Sequence, residues 1–212
     1  YQSEKGEGFE QRKRLFKRHF GDSNPFVYPF PVFKLRVDEN VTYYLKIFST
    51  EPINFTIAIG SEVEFYPKYT KTLVFVSIYI GIMLALFLYN LLLFFSVRDK
   101  VYFYYCFYIL FISCTQLSLL GYSYFFLFDG NSILYEKSLV VFSSMSGVFG
   151  VLFLKGFLHT KKFVPRLNIG LSVILIVYSL GALLRIADFV AISYSFTDIG
   201  ALLVVVFFMS TG

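Results

Sequence analysis

The apolar and polar positions of this chain follow one rhythm in its first third and another afterwards. Phe33-Lys34-Leu35-Arg36-Val37 alternates apolar with basic, the period of a half-buried strand. Asp38-Glu39-Asn40 reads as a turn, and Thr42-Tyr43-Tyr44-Leu45-Lys46-Ile47-Phe48-Ser49 is rich in β-formers with Tyr43, Leu45 and Ile47 on one face. Glu51-Pro52 interrupts, and 53–59 makes a third strand. Short strands separated by turns predict the last part of an antiparallel β-sandwich. Ahead of them, residues 1–31 are polar and read as irregular, punctuated by Pro25, Pro29 and Pro31.

At Leu73 the alternation stops. Residues 73–95 hold no charged residue and no proline. As a helix they would run about 35 Å at ~1.5 Å per residue, enough to cross a ~30 Å hydrocarbon core. Within such a core only a helix satisfies its own backbone. Four more apolar runs follow, at 101–120, 138–158, 167–187 and 192–209. The expected fold is therefore a membrane all-α bundle, with transmembrane helices over those five runs, preceded by antiparallel strands. Residues 1–68 are the end of a β-sandwich and 69–212 the transmembrane domain, with Lys68, Tyr69 and Lys71 suited to the interface.

Composition agrees. The chain has 212 residues, 57% of them hydrophobic and 16% charged, against about 25% charged in a soluble domain. Where the charges fall matters more than their sum. Arg98 and Lys100 lie in the first loop, and Lys155, Lys161, Lys162 and Arg166 around the third. The second offers Asp129, Glu136 and Lys137, and the fourth Arg185 with Asp188. By the positive-inside rule, loops one and three are cytoplasmic and the N-terminal strands lie outside. The basic run at 11–19 fits a solvated strand or loop better than a nucleic-acid or anionic-lipid patch, and no nucleic-acid partner is expected. Tyr1 is not Met and the sequence stops directly after an apolar run, so both ends read as cut from a longer protein.

No phosphate loop, nucleophile elbow, HExxH or metal-spaced Cys/His cluster is present, so neither catalysis nor a cofactor is expected. Cys106 and Cys114 fall inside the second run, away from any histidine, and read as small buried apolar residues. Polar residues inside apolar helices are the candidates for function. These are Tyr89 and Asn90 deep in the first span, Gln116 late in the second, and Asp198 early in the fifth. Arg185 and Asp188, spaced i,i+3, can pair on one helix face. One reading makes this set a switchable network or a ligand-facing cavity. The other, the favoured reading, makes Asn90 and Gln116 helix–helix glue and the charges interfacial. Ser143 with Gly147 and Ser146 with Gly150 form small-xxx-small spacings, expected to serve intrachain packing, with a homodimer face as the alternative.

The order of parts resembles a known family. The quoted strands, Asn24-Pro25 with Phe30-Pro31-Val32-Phe33-Lys34-Leu35 and then 42–50, are followed by Tyr79-Ile80-Gly81-Ile82-Met83 and Leu88-Tyr89-Asn90-Leu91. Arg98-Asp99-Lys100-Val101-Tyr102, Tyr104-Tyr105, Phe153-Leu154 and Phe157-Leu158-His159-Thr160-Lys161 come next. From about Asn24 to its end the chain resembles the bacterial seven-transmembrane receptors with diverse intracellular signalling modules. The resemblance implies an extracytoplasmic jelly-roll sensor of carbohydrate-binding type and seven helices in the bacterial inner membrane. It also implies a cytoplasmic cyclase, kinase or phosphatase module, absent from this chain. The implied function is relay of a small-molecule or carbohydrate signal across the lipid bilayer; the alternative is a transporter or channel subunit.

Overall fold

The computed structural model of the protein describes residues 2–4, 7–10, 42–43, 57, 59–128 and 131–211. Three short strands, β1 (Gln2–Glu4), β2 (Glu7–Glu10) and β3 (Thr42–Tyr43), form an antiparallel sheet in the order β2-β1-β3. Gln2 stands opposite Glu10 on one side and Tyr43 on the other. The polar start of the chain, expected to be irregular, thus contains a hairpin. The strand expected at 33–37 and the basic run lie outside the described residues, as does most of 42–49 and 53–59.

Among the described residues seven helices follow: α1 (Glu62–Val97), α2 (Lys100–Leu119), α3 (Ser123–Phe126), α4 (Ser132–Phe157), α5 (Thr160–Phe163), α6 (Pro165–Ile186) and α7 (Val190–Thr211). Every expected span is a helix, but α1 and α4 begin well before their apolar runs. The cause is capping. Ser61 accepts from the Glu64 amide, and Asn131 accepts from the amides of Ile133 and Leu134 at 3.1 and 3.3 Å. Each cap satisfies donors that the first turn leaves open, so the helix starts there and not where hydropathy rises. Consequently α1 is about 54 Å long at ~1.5 Å per residue, and the boundary expected at 68/69 falls within it.

Arg98-Asp99-Lys100 makes the first hairpin of helices. Arg98 takes the left-handed conformation (φ 56°) and its amide donates to the Phe94 carbonyl, closing α1; the Asp99 carboxylate accepts from the Val101 amide, opening α2. Pro165 at the first position of α6 contributes a preset φ where no intrahelical N–H is required.

Helix α4 is the centre of the bundle, packing on α2, α6 and α7, while α1, among the described helices, packs on α2. Aromatic rings fill the α2–α4 interface: Phe149 stacks on Phe107 at 5.0 Å and on Phe111 at 5.5 Å, and Tyr105 meets Phe153 at 4.8 Å. Between α4 and α6 the core is Val151, Leu171, Ile174 and Tyr178.

Polarity is reversed relative to a soluble domain. The buried residues include Asn90, Ser118, Ser138, Ser144, Ser146, Arg185, Ser193 and Thr197, whereas Phe75, Ile82, Leu92, Ile176, Leu183 and Leu202 are exposed. A row of exposed Leu, Ile and Phe over buried hydroxyls is stable where the surroundings are lipid. Helices α1, α2, α4 and α6 are each long and apolar enough to cross a membrane, and α7 is apolar over Val190–Val206. The protein is a multi-pass membrane protein.

Candidate functional site

Tyr178 on α6 is a large ring in a place built for it. It is buried between α4 and α7, where both neighbours are glycine. A methyl group on Gly147 of α4 would lie 2.6 Å from the ring, and one on Gly200 of α7 2.9 Å. Three residues along each helix a second contact repeats the arrangement. Gly181 on α6 lets the Ser144 hydroxyl of α4 reach the Thr197 hydroxyl of α7 at 3.0 Å. Thr197 also donates to the Ser193 carbonyl at 3.0 Å, so both hydroxyls are satisfied without water. Ser144/Gly147, Tyr178/Gly181 and Thr197/Gly200 therefore form a three-helix seam.

One turn beyond Gly181, Arg185 is 2% exposed, and its guanidinium donates to the Glu136 carbonyl of α4 at 2.7 Å. A buried cation needs such acceptors, because its water shell has been removed. On a continuous helix face Asp188 can pair with Arg185. The structure instead ends α6 at Ile186 and puts Asp188 in the left-handed region (φ 65°), where its carboxylate meets Lys137 at 2.7 Å. The α6–α7 turn is thus tied to the start of α4 by two independent bonds. Nearby, Ser118 of α2 and Ser138 of α4 share a hydrogen bond of 3.0 Å.

The other end of the bundle carries a second polar cluster. Lys155 donates to Ser172 at 2.7 Å, Ser172 to the Asn168 carbonyl, and Thr160 to the Asn168 side chain at 3.2 Å. Lys155 therefore bonds across to α6.

The remaining sequence candidates scatter. Asn90 is buried and donates to the Leu86 carbonyl at 2.8 Å, inside α1 itself. Tyr89 is 61% exposed on the outer face of α1. Gln116 is half-buried in the last turn of α2, and Asp198 is exposed on α7. Of the small residues, Gly147 receives Tyr178 of α6, Gly150 lies against Tyr108 of α2, and Ser146 donates to the Ser143 carbonyl at 2.8 Å. These are intrachain contacts. Tyr178, Gly181, Thr197 and Gly200 were not among the sequence candidates. The signal available was a glycine three residues after Tyr178 and another after Thr197.

Outside the spans, Tyr122 follows α2. Burial pushes its phenol up to about 12, helped by the neighbouring Tyr69 phenol of α1, with which it shares a hydrogen bond. The front of α1 is thereby joined to the α2–α3 loop. Among the described residues Cys106 and Cys114 are free thiols, and no three His, Cys, Asp or Glu come together as a metal site requires.

Residues 72–212 match a family model described as 7TM diverse intracellular signalling, starting one residue before the first apolar run. No curated protein and no solved structure matches the chain.

Proposed function

The chain belongs to the 7TM diverse intracellular signalling family, which gives it a receptor-type signalling role in a membrane, and from that premise we propose that it relays an outside stimulus by repacking α6 and α7 against α4. The observation that carries the reading is the seam itself. Glycines, hydroxyls and one arginine join the three helices, and these contacts have alternatives at small cost. An interhelical hydrogen bond in a membrane is worth roughly 0.6 kcal/mol on average and seldom above about 1.7. Breaking Ser144–Thr197 is therefore well within the reach of a ligand's differential affinity for two arrangements.

The stimulus enters from the strand-bearing N-terminal side, proposed to be a jelly-roll sensor for a small molecule or carbohydrate. Two features support entry by way of α1. Its first turns extend beyond the apolar run, and its Tyr69 bonds Tyr122 at the loop after α2. Orientation is argued from charge: Arg98, Lys100, Lys155, Lys161, Lys162 and Arg166 gather at the end opposite Asp188 and Glu136, which makes that end cytoplasmic. The proposed setting is the inner membrane of a bacterium, and the proposed receiver is a cyclase, kinase or phosphatase module. Transport is less well supported, since α1 to α7 show no break inside their apolar runs and Pro67 of α1 precedes Leu73.

Arg185→Gln in the full-length protein tests the relay. The expected result is an output, per molecule in the membrane, changed several-fold in its response to stimulus while most of the protein is retained. Signal lost only in proportion to lost protein would make Arg185 merely structural.

A further inference from the structure

Asp198 is an acid on the wrong face of its helix. On α7, Ser193, Thr197 and Gly200 are buried against α4 and α6. Ala191, Ser195, Asp198, Leu202 and Val205 make the opposite stripe, and all five are exposed. Asp198 lies about 12 Å into α7 at ~1.5 Å per residue, inside the helix's apolar stretch Val190–Val206. No hydrogen bond or ion pair joins its carboxylate to any described residue. A lone carboxylate at that depth is costly against lipid, and acids in spans face a partner or a cavity.

We propose that this stripe of α7 is covered by a further transmembrane helix of the same protein, one that presents a basic or hydrogen-bond-donating side chain at the depth of Asp198. The proposal rests on the membrane and family reading, because the described residues provide five long helices and the family is a seven-helix one. Small residues at Ala191 and Ser195 let a backbone approach closely beside the acid. A second copy of the chain fits poorly. Symmetric contact across this stripe would set Asp198 against Asp198, two like charges at one depth. Nor do the described cations serve, since Lys155 bonds Ser172, Arg185 bonds Glu136 and Lys137 bonds Asp188.

The test uses the full-length protein in lipid bilayers, spin-labelled in turn at Ser195→Cys, Leu202→Cys and the exposed α6 positions Ile176→Cys and Leu183→Cys. Oxygen collision at 195 and 202 should be several-fold lower than at 176 and 183, with little access to a water-soluble nickel chelate at any of them. With the label at 195, Asp198→Leu should raise oxygen collision at least about two-fold, as the covering helix loses its partner. Equal oxygen access at all four positions would mean lipid covers the stripe and would overturn the proposal. High nickel access at 195 and 202 alone would mean a water-filled cavity and would overturn it too. Protection that vanishes when single copies are isolated in nanodiscs would assign the cover to a second copy and refute the same-chain helix. Nickel access at 176 and 183 would instead refute the membrane reading beneath it. The Ser195 label leaves the carboxylate in place, so a poorly folding Asp198 variant does not rescue the idea.

Discussion

A methyl group on Gly147 would sit 2.6 Å from the Tyr178 ring, while one on Gly81 would meet nothing within 4 Å. The two positions make a matched pair, because both are glycines inside helices of the same bundle. Gly147→Ala forces Tyr178 off its site or α4 away from α6, an overpacking cost of about 1–3 kcal/mol. Gly81→Ala should be neutral or slightly stabilising, since it adds helix propensity without a clash. Reversible unfolding in mixed detergent measures both; equal effects would mean that the ring does not sit between α4 and α7. The sequence made Gly147 and Gly150 visible through their spacing with Ser143 and Ser146. It hid Tyr178, Gly181 and Thr197, because what distinguishes them is a partner on another helix and not a neighbour in the chain. Arg185 and Asp188 are both visible in the sequence, but i,i+3 spacing brings side chains together only while the helix continues, and α6 stops between them.

At the level of the elements, hydropathy located each span but not its ends. The reason is that a helix begins where its first amides find acceptors, and those acceptors are polar residues outside the apolar run. Ser61, Asp99 and Asn131 do this for α1, α2 and α4. The Ser61-Glu62-Val63-Glu64 pattern is a readable capping signal, but it starts twelve residues before the apolar stretch it serves. Asn131→Ala should shorten α4 from its first turn and cost about 1 kcal/mol, since one side chain satisfies two amides there. Hydrogen exchange of Ile133 and Leu134 checks it: faster exchange confined to this turn is expected, and unchanged exchange would show that the cap contributes nothing. The short helices α3 and α5 carried no periodic signal, as four residues are too few to show one.

For the whole molecule, the class was legible because lipid imposes it: long uncharged runs, charges gathered in alternate loops, and hydroxyls turned inward. The arrangement of the helices was not. That α4 sits at the centre, with α1 on the α2 side, follows from which faces carry rings and which carry glycines. This arrangement makes α4, α6 and α7 a unit whose internal contacts can change while the α2–α4 aromatic interface holds. The account therefore stands on movement at the seam, and one measurement reaches it directly. The Ser144 and Thr197 hydroxyls are 3.0 Å apart, so Ser144→Cys with Thr197→Cys places two thiols close enough to bridge. In the full-length receptor the oxidised double variant should give an output that no longer responds to stimulus, and reduction should restore the response. An oxidised, fully bridged protein that responds like the unmodified one would contradict the account, because the signal would then cross the membrane without α7 moving against α4.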